Sequence, residues 1–185
     1  MNKVVTSQEE ILIQSRLLIR EKGIDAISIR NLAKACHVSV GSIYNYFSNK
    51  ADLVSATIES IWEELFHTPD ITSQSLDTVS YIKELFRQLE EGNKRYPNFM
   101  TLHALAFVQE DKNSETNKMH DAWHHIQTHL MSIIKNDPHK REDALKNQMH
   151  EKDFAQILFS LILSSMLRQD FNPKSIIKLI QDVLY

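Results

Sequence analysis

The sequence predicts an all-α protein, and three observations lead to this prediction. Glycine and proline are scarce, with three and four residues among 185, so few positions would interrupt a helix. Long stretches rich in Leu, Ile, Lys, Glu and Gln carry apolar residues at helical spacing. The length suffices for one large domain or two small ones that share an interface. We therefore expect an all-helical chain in two parts, residues 1–66 and 67–185.

Capping residues divide the first part into short helices. A first helix should start near Thr6 or Ser7, since each is followed by a glutamate at capping-box spacing, and Gly23 marks its end because glycine readily adopts the backbone that terminates helices. Ser28 is the expected N-cap of a second helix and Ser39 that of a third, which ends near residue 46. A longer helix follows from about residue 49 to 66.

The second part should begin after a break at HTPDITS (His67–Ser73), which is rich in helix-breaking residues. We expect its helices at about 75–92, 97–110, 115–135, 141–169 and 173–184, the fourth with a break near His150 as an alternative. Residues 153–171 are apolar on nearly every side, and residues 175–185 carry a further apolar stripe. This is more apolar surface than a small domain needs for its own core, which indicates a partner face.

Charge is distributed unevenly along the chain. Residues 1–50 hold seven Lys/Arg and four Asp/Glu, a net charge of +3, whereas residues 51–185 hold 14 basic and 20 acidic residues, a net charge of −6. A basic N-terminal part is typical of a module that binds a polyanion.

Several classes of protein are disfavoured by the sequence. MNKVVTSQEE does not read as a signal peptide, and the longest apolar stretch, residues 157–167, is too short to span a bilayer. Cys36 is the single cysteine, so no intrachain disulfide can form. The motifs GxSxG, GxGxxG, GxxxxGK[ST] and HExxH do not occur. We expect a cytoplasmic protein that is neither an enzyme nor membrane-bound and needs no cofactor.

Residues 28–47 have the pattern of a helix-turn-helix, in which two short helices are joined by a tight turn. Ile43 and Phe47 fall on one face of the second helix and should anchor it. The opposite face is polar or amphipathic and free of carboxylates, which suits the phosphate-lined groove of DNA. The predicted DNA-contacting residues are Ser28, Arg30, Ser39, Val40, Gly41, Ser42, Tyr44, Asn45, Tyr46 and Lys50.

Each predicted contact has a chemical reason. The phenols of Tyr44 and Tyr46 can donate to phosphate oxygens, and Asn45 can reach base edges. Val40 can contact a thymine methyl group. Lys50 lies at the start of the next helix, where the ammonium and the free backbone N–H groups both favour a phosphate.

Residues 7–53 resemble the N-terminal domain of TetR-type transcriptional repressors. The resemblance rests on a helix ending at Gly23 and on Ser28-Ile29-Arg30, Leu32-Ala33, Val38-Ser39, Gly41-Ser42-Ile43-Tyr44, Tyr46-Phe47, Lys50 and Leu53. Two positions depart from the family pattern. His37 stands where a turn glycine is usual, although histidine tolerates a left-handed backbone better than most residues. Val40 stands where many members have a lysine or arginine, so an apolar contact is expected there.

The resemblance implies a helical regulatory domain that dimerises through its last two long helices, here about 141–169 and 173–184. It also implies that an unidentified small-molecule effector binds this domain and controls binding to double-stranded operator DNA. Aromatic and histidine side chains on apolar helix faces are the candidate pocket residues. They are Tyr81, Phe86, His103, Phe107 and Trp123.

The sequence leaves three readings of function open. The expected one is a dimeric repressor that a small-molecule inducer releases from its operator. A second is a helical ligand-binding or protein-interaction module without specific DNA readout. A third is a metal-responsive repressor, because His120/His124 and His125/His129 are pairs at the i, i+4 spacing that can bind zinc. The two pairs lie on opposite flanks of one helix and cannot form one four-ligand site, so no metal site is predicted.

Overall fold

A computed structural model of the chain describes residues 6–66, 77–109, 118–145 and 149–185, with the backbone alone described at 103, 106–109 and 118–125. The described helices are α1 (Gln8–Lys22), α2 (Ile29–Ala35), α3 (Val40–Tyr44), α4 (Lys50–Phe66), α5 (Thr78–Arg95), α6 (Phe99–Gln109), α7 (Lys118–Asn136), α8 (Glu151–Arg168) and α9 (Lys174–Leu184). Since no strand occurs in these ranges, the all-α prediction is confirmed. The predicted break at His67–Ser73 lies outside the described residues.

Hydrogen-bonded caps fix the first helices where the sequence predicts them. The N–H of Glu10 donates to Ser7 Oγ at 3.1 Å at the start of α1, and Gly23 ends that helix with a φ of 79°. A short 3-10 helix, Ile24–Ala26, follows without having been predicted.

The fourth predicted helix of the second part was too long. It begins at Glu151 and not at residue 141, because the backbone N–H of His150 donates to the Asp153 carboxylate at 3.2 Å and stops the helix there. Residues 142–145 form a turn in which Leu145 has a φ of 66°. The alternative break near His150 is therefore the correct one.

Among the described residues, contacts group the chain into two units. The first contains α1 to α4 together with Arg95–Phe99, and the second contains the rest of α5 and α6 with α7 to α9. The first unit has a core of completely or almost completely buried side chains: Ile11, Ile27, Leu32, Ile43, Phe47, Leu53 and Ile61. Each such side chain contributes about 1.5–3 kcal/mol when removed from water.

The first unit also contains a cluster of ionic and aromatic groups around one carboxylate. Glu64 of α4 accepts from Arg16 at 2.9 Å, from Arg20 at 2.5 Å and from Arg95 at 2.7 Å. The hydroxyl of the fully buried Tyr96 donates to the same carboxylate at 3.0 Å. The cluster thus connects α1, α4 and the Arg95–Phe99 turn.

The second unit is organised around a buried aspartate that caps a helix distant in sequence. The Asp137 carboxylate accepts from the backbone N–H of Thr78 at 2.7 Å and from its hydroxyl at 2.5 Å. The hydroxyl of Tyr185 donates to the same oxygen at 2.7 Å. Asp137 therefore fixes both the start of α5 and the residue that follows α9. None of the described helices is long and apolar enough to cross a membrane.

Candidate nucleic-acid interface

The turn between α2 and α3 is closed by backbone hydrogen bonds that need one left-handed residue. The N–H of His37 donates to the carbonyl of Lys34 at 3.2 Å, and that of Val38 donates to the carbonyl of Ala33 at 2.9 Å. His37 has a φ of 55°, as expected for a residue that replaces a turn glycine. The helix-turn-helix geometry is therefore kept without glycine.

The second helix of this motif is held by the two residues predicted to anchor it. Ile43 is fully buried and Phe47 is 2% exposed, so both contribute to the core of the first unit. The opposite side of α3 is open: Tyr44 is 53% exposed, and Val40 and Tyr46 are each 40% exposed. Large apolar and aromatic surface is thus presented to solvent beside a firmly packed face, which is typical of a binding surface.

The predicted serines serve as helix caps. Ser28 Oγ accepts from the N–H of Asn31 at 3.1 Å, and Ser39 Oγ accepts from the N–H of Ser42 at 3.1 Å. A cap uses the lone pair of the hydroxyl and not its proton. Ser28 can therefore cap α2 and still donate to a phosphate. Ser39 and Ser42 lie 2.9 Å apart, so one of the two hydroxyls donates to the other and one proton stays available.

Tyr46 is placed differently from the prediction. Its hydroxyl donates to the backbone carbonyl of Thr6 at 2.6 Å, whereas it was expected to donate to a phosphate. A phenol carries one proton, so this donor is already used. The prediction for Tyr46 changes accordingly, while Tyr44 and Asn45 remain exposed on the open side.

Lys50 is exposed at the first position of α4, but it shares the start of the helix with a carboxylate. Asp52 accepts from the N–H of Ser48 at 3.0 Å and from its hydroxyl at 3.1 Å, while Asn49 Oδ1 accepts from the N–H of Asp52 at 2.9 Å. The carboxylate offsets part of the positive potential predicted there. Sequence reasoning missed Asp52, although its position three residues after Asn49 has capping spacing.

The exposed cations of the motif are Arg30 and Lys34 on α2 and Lys50 on α4. None of these three forms a described ion pair, in contrast to Arg16, Arg20 and Arg95, which surround Glu64. Of these six Lys/Arg side chains, three therefore form ion pairs within the first unit. The exposed cations without a described ion pair in this set are those of the helix-turn-helix and the start of α4.

The predicted effector pocket is only partly described. Tyr81 and Phe86 are buried in the second unit, at 5% and 1% exposure, and burial raises the pKa of the Tyr81 phenol to about 12. The side chains of His103, Phe107 and Trp123 lie outside the described part of the structure. The ring of Tyr81 meets that of His129 edge-on, with centroids 5.3 Å apart, which places α5 against α7.

A cavity of about 140 Å³ opens in the second unit where α8 ends and α9 begins. Residues of both helices line it: Leu161, Ser165, Arg168, Asp170, Asn172, Ser175 and Ile176. None of the five predicted pocket residues is among them. In the described ranges, no group of three or more His, Cys, Asp or Glu side chains is arranged to hold a metal ion. The side chains of His120, His124 and His125 fall outside those ranges.

A capped helix-turn-helix with a buried anchoring face and an exposed aromatic, polar face is typical of a DNA-binding domain. Residues 11–57 match the family model described as bacterial regulatory proteins, tetR family. These residues therefore form a TetR-type N-terminal domain.

Individual curated relatives share less than a third of their residues with this chain over the matched regions. Nucleoid occlusion factor SlmA of Mannheimia succiniciproducens is 29% identical over 106 residues, which is 55% of this chain and 49% of SlmA. The HTH-type transcriptional regulator YdeS of Bacillus subtilis is 31% identical over 83 residues, or 45% of this chain and 42% of YdeS. The chain thus spans about half the length of these curated relatives. A TetR transcriptional regulator from Legionella pneumophila has the same fold over 100% of both chains, with a TM-score of 0.63 and 19% identity.

Proposed function

We propose that the protein is a dimeric repressor that binds operator DNA through α3 and leaves it when a small molecule binds the second unit. The observation that supports this most directly is the contrast between buried and exposed side chains in α3 and the three residues that follow it. Ile43 and Phe47 are buried, while Tyr44 and Val40 are exposed. A fold that only needed α3 for its core would have no use for a large aromatic side chain on the open side.

The proposed DNA contacts divide into two kinds. Tyr44, Lys50, Arg30 and the capping serines supply donors to phosphates, which position the protein without reading sequence. Val40 and Asn45 would contact base edges, Val40 through an apolar contact with a thymine methyl group and Asn45 through amide hydrogen bonds.

A dimer would present two copies of α3 to paired half-sites. The surface proposed for it is the open face of α8, on which Ile157, Ser160, Leu161 and Ser164 follow one another at helical spacing. Ile157 and Ser160 are exposed, and Leu161 and Ser164 are half-exposed. Ser165, which lies next to Ser164, is buried within the unit. Small serines beside isoleucine and leucine allow a second helix to approach closely.

The proposal concerns the chemical class of the effector and does not name a particular compound. The proposed pocket residues Tyr81, Phe86, His103, Phe107 and Trp123 would supply an apolar, largely aromatic lining with two titratable groups, a phenol and an imidazole. Whatever binds there must weaken DNA binding by the same factor by which DNA weakens its own binding. This reciprocity can be tested in solution, by measuring how effector and DNA change each other's affinity.

The direct experiment is a titration with genomic fragments and an identified operator at several salt concentrations. A repressor shows one preferred site and an affinity that falls steeply with salt, because phosphate contacts release counterions. Lys50→Ala should reduce the salt slope by about one and weaken all sequences alike. Tyr44→Phe should weaken binding uniformly, whereas Asn45→Ala should relax preference at one base position.

Two alternatives are decided by the same titration. A protein-interaction or ligand-binding module without DNA readout would show neither a preferred site nor a steep slope. A metal-responsive repressor would show a preferred site whose occupancy changes with Zn²⁺ and recovers with chelator. Thermal-shift screening of small apolar compounds against the same protein then narrows the class of effector.

A further inference from the structure

The cavity where α8 ends and α9 begins contains a buried hydroxyl that the fold does not use. Ser165 is only 4% exposed, yet it lines this cavity of about 140 Å³. Among the described residues its hydroxyl has no hydrogen-bond partner, whereas the hydroxyl of Ser160, on the same helix, donates to the carbonyl of Gln156 at 2.9 Å. A buried hydroxyl costs free energy unless it is hydrogen-bonded, so its partner has to come from a molecule inside the cavity.

The start of α9 contributes backbone donors to the same cavity. The N–H of Lys174 donates to Asn172 Oδ1 at 3.2 Å, but the next two N–H groups, those of Ser175 and Ile176, have no acceptor in the described structure. Both of these residues line the cavity. Free N–H groups and the positive end of the helix dipole favour a negatively charged group at this position.

Arg168, in the last turn of α8, adds a cation to the cavity lining. It is exposed, and its guanidinium forms no ion pair with any described residue. The carbonyl of Ser165 does not compete for it, because the N–H of Asp170 already donates to that carbonyl at 3.0 Å. A free guanidinium beside free N–H groups matches a carboxylate, which it can bind through two parallel hydrogen bonds.

Asp170 narrows the class of ligand, since its carboxylate lines the same cavity. One of its oxygens accepts from the N–H of Asn172 at 3.2 Å, and the other accepts from no described donor. This charge would repel a simple anion, but it would attract an ammonium group carried by the same ligand. Leu161 and Ile176 supply an apolar wall, and the cavity is too small for a drug-sized molecule.

We propose that this cavity binds a small amino acid. Arg168 and the free N–H groups at the start of α9 hold its carboxylate, and Asp170 holds its ammonium group. The hydroxyl of Ser165 donates to the carboxylate, while the ligand's side chain packs on Leu161 and Ile176. This site shares no residue with the proposed effector pocket, and it does not depend on the proposed binding of DNA.

The test is isothermal titration calorimetry on the intact chain with L-valine as the probe. Isovalerate is valine without its ammonium group, and isobutylamine is valine without its carboxylate. We expect valine to bind with a dissociation constant of about 1 mM or below. Each of the two fragments should bind at least about tenfold more weakly, because one of the two charged contacts is lost.

Three variants assign the contacts, and two of them are expected to act in opposite directions on isovalerate. Arg168→Gln should weaken valine and isovalerate alike, by about tenfold, since both ligands lose the guanidinium. Asp170→Asn should weaken valine by about tenfold but strengthen isovalerate, because the repulsion of its carboxylate is removed. Ser165→Ala should weaken valine by about fivefold. A gain in affinity for one ligand cannot arise from a misfolded protein.

Lys178→Gln and Asp182→Asn are the matched controls. They make the same changes of charge at exposed positions of α9 that do not line the cavity, so the affinity for valine should stay unchanged. If valine does not bind, or binds the Arg168 and Asp170 variants as it binds wild type, the proposed site is wrong. If isovalerate binds wild type as tightly as valine does, the ligand is not an amino acid. Operator binding does not enter these measurements, so their failure would leave the proposed repressor function as it stands.

Discussion

Gly41 lies on the open side of α3, where the surrounding structure would accept a side chain. A Cβ added there would meet only Ser39 Oγ, at 3.7 Å, which is ordinary van der Waals contact, and the residue has no positive φ that would require glycine. Helical glycine costs about 0.5–1 kcal/mol relative to alanine. The fold alone would therefore favour alanine, so the absence of a side chain points to a close approach by something outside the chain.

Gly41→Ala should consequently separate stability from DNA binding. We expect the free energy of unfolding to be unchanged or to rise by about 0.5–1 kcal/mol, while affinity for the operator falls about tenfold, as one close contact is pushed away. Urea unfolding and anisotropy titration measure the two quantities. Ser55→Ala, at an exposed position of α4, is the control and should change neither. Undiminished operator affinity in Gly41→Ala would show that DNA does not approach α3 at this residue.

At the scale of residues, the sequence correctly predicted the features that depend on residues nearby in the chain. The caps Ser7, Ser28 and Ser39 and the left-handed His37 follow from spacing within a few residues. The role of Tyr46 does not, because its acceptor lies 40 positions away and is a backbone carbonyl with no side-chain signature. A periodic pattern records which face a residue occupies, but not which partner it finds there.

At the scale of elements, one carboxylate connects three segments of the first unit. Glu64 accepts from Arg16 and Arg20 of α1, from Arg95 at the end of α5 and from Tyr96 just after it, and the Arg20 guanidinium also lies 4.9 Å from the centre of the Tyr96 ring. Burial alone would raise the pKa of Glu64, but the hydrogen bonds from Arg95 and Tyr96 and the charges of the other arginines outweigh it and lower that pKa.

Glu64→Gln should therefore destabilise the first unit. The substitution keeps the size of the side chain but leaves three guanidinium groups without their common anion, so we expect a loss of about 1–3 kcal/mol in the free energy of unfolding. Glu63→Gln is the matched control, because Glu63 is the adjacent residue of α4 and is exposed. Equal midpoints of chemical unfolding for the two variants would mean that the cluster contributes nothing beyond surface charge.

The elements also show where prediction from sequence fails. The apolar pattern of residues 153–171 identified α8, but its start was placed ten residues early because Arg141, Glu142 and Ala144 are all compatible with helix. In the structure these residues lie outside any helix, and the N–H of Arg141 donates to the carbonyl of Leu184 at 2.9 Å. That contact brings the turn to the end of α9, and no local propensity contains it.

At the scale of the whole molecule, buried carboxylates make stability depend on pH. Burial would raise the pKa of Asp137, but the hydrogen bonds from Thr78 and Tyr185 outweigh it, so the folded-state pKa lies below its usual value. A lowered pKa contributes stability above the unfolded-state value of about 3.9, and this contribution is lost as pH falls through the folded-state pKa. The second unit should therefore lose stability on acidification.

The pH prediction is tested by following unfolding of wild type, Asp137→Asn and Asp143→Asn from pH 7 to pH 3. We expect wild type and Asp143→Asn to lose stability steeply below about pH 4, since Asp143 is exposed in the turn before α8. Asp137→Asn should be less stable at neutral pH and show a flatter decline. Parallel curves for all three proteins would rule out Asp137 as a source of the acid sensitivity.

The proposed dimer would link the open face of α8 to DNA binding by the whole molecule. Ile157 is 40% exposed on that face, and burying it in a partner would remove an apolar side chain from water at the centre of the interface. Ile157→Glu would place a carboxylate there from both subunits, so we expect the dimer dissociation constant to rise about 100-fold and operator affinity to fall with it.

Gln156→Glu adds the same charge at the neighbouring exposed position of α8 and should leave both quantities unchanged. Sedimentation equilibrium and anisotropy titration on the same samples decide the matter. A dimer that survives Ile157→Glu would place the interface elsewhere, and a monomer that keeps full operator affinity would break the link between dimerisation and paired half-sites.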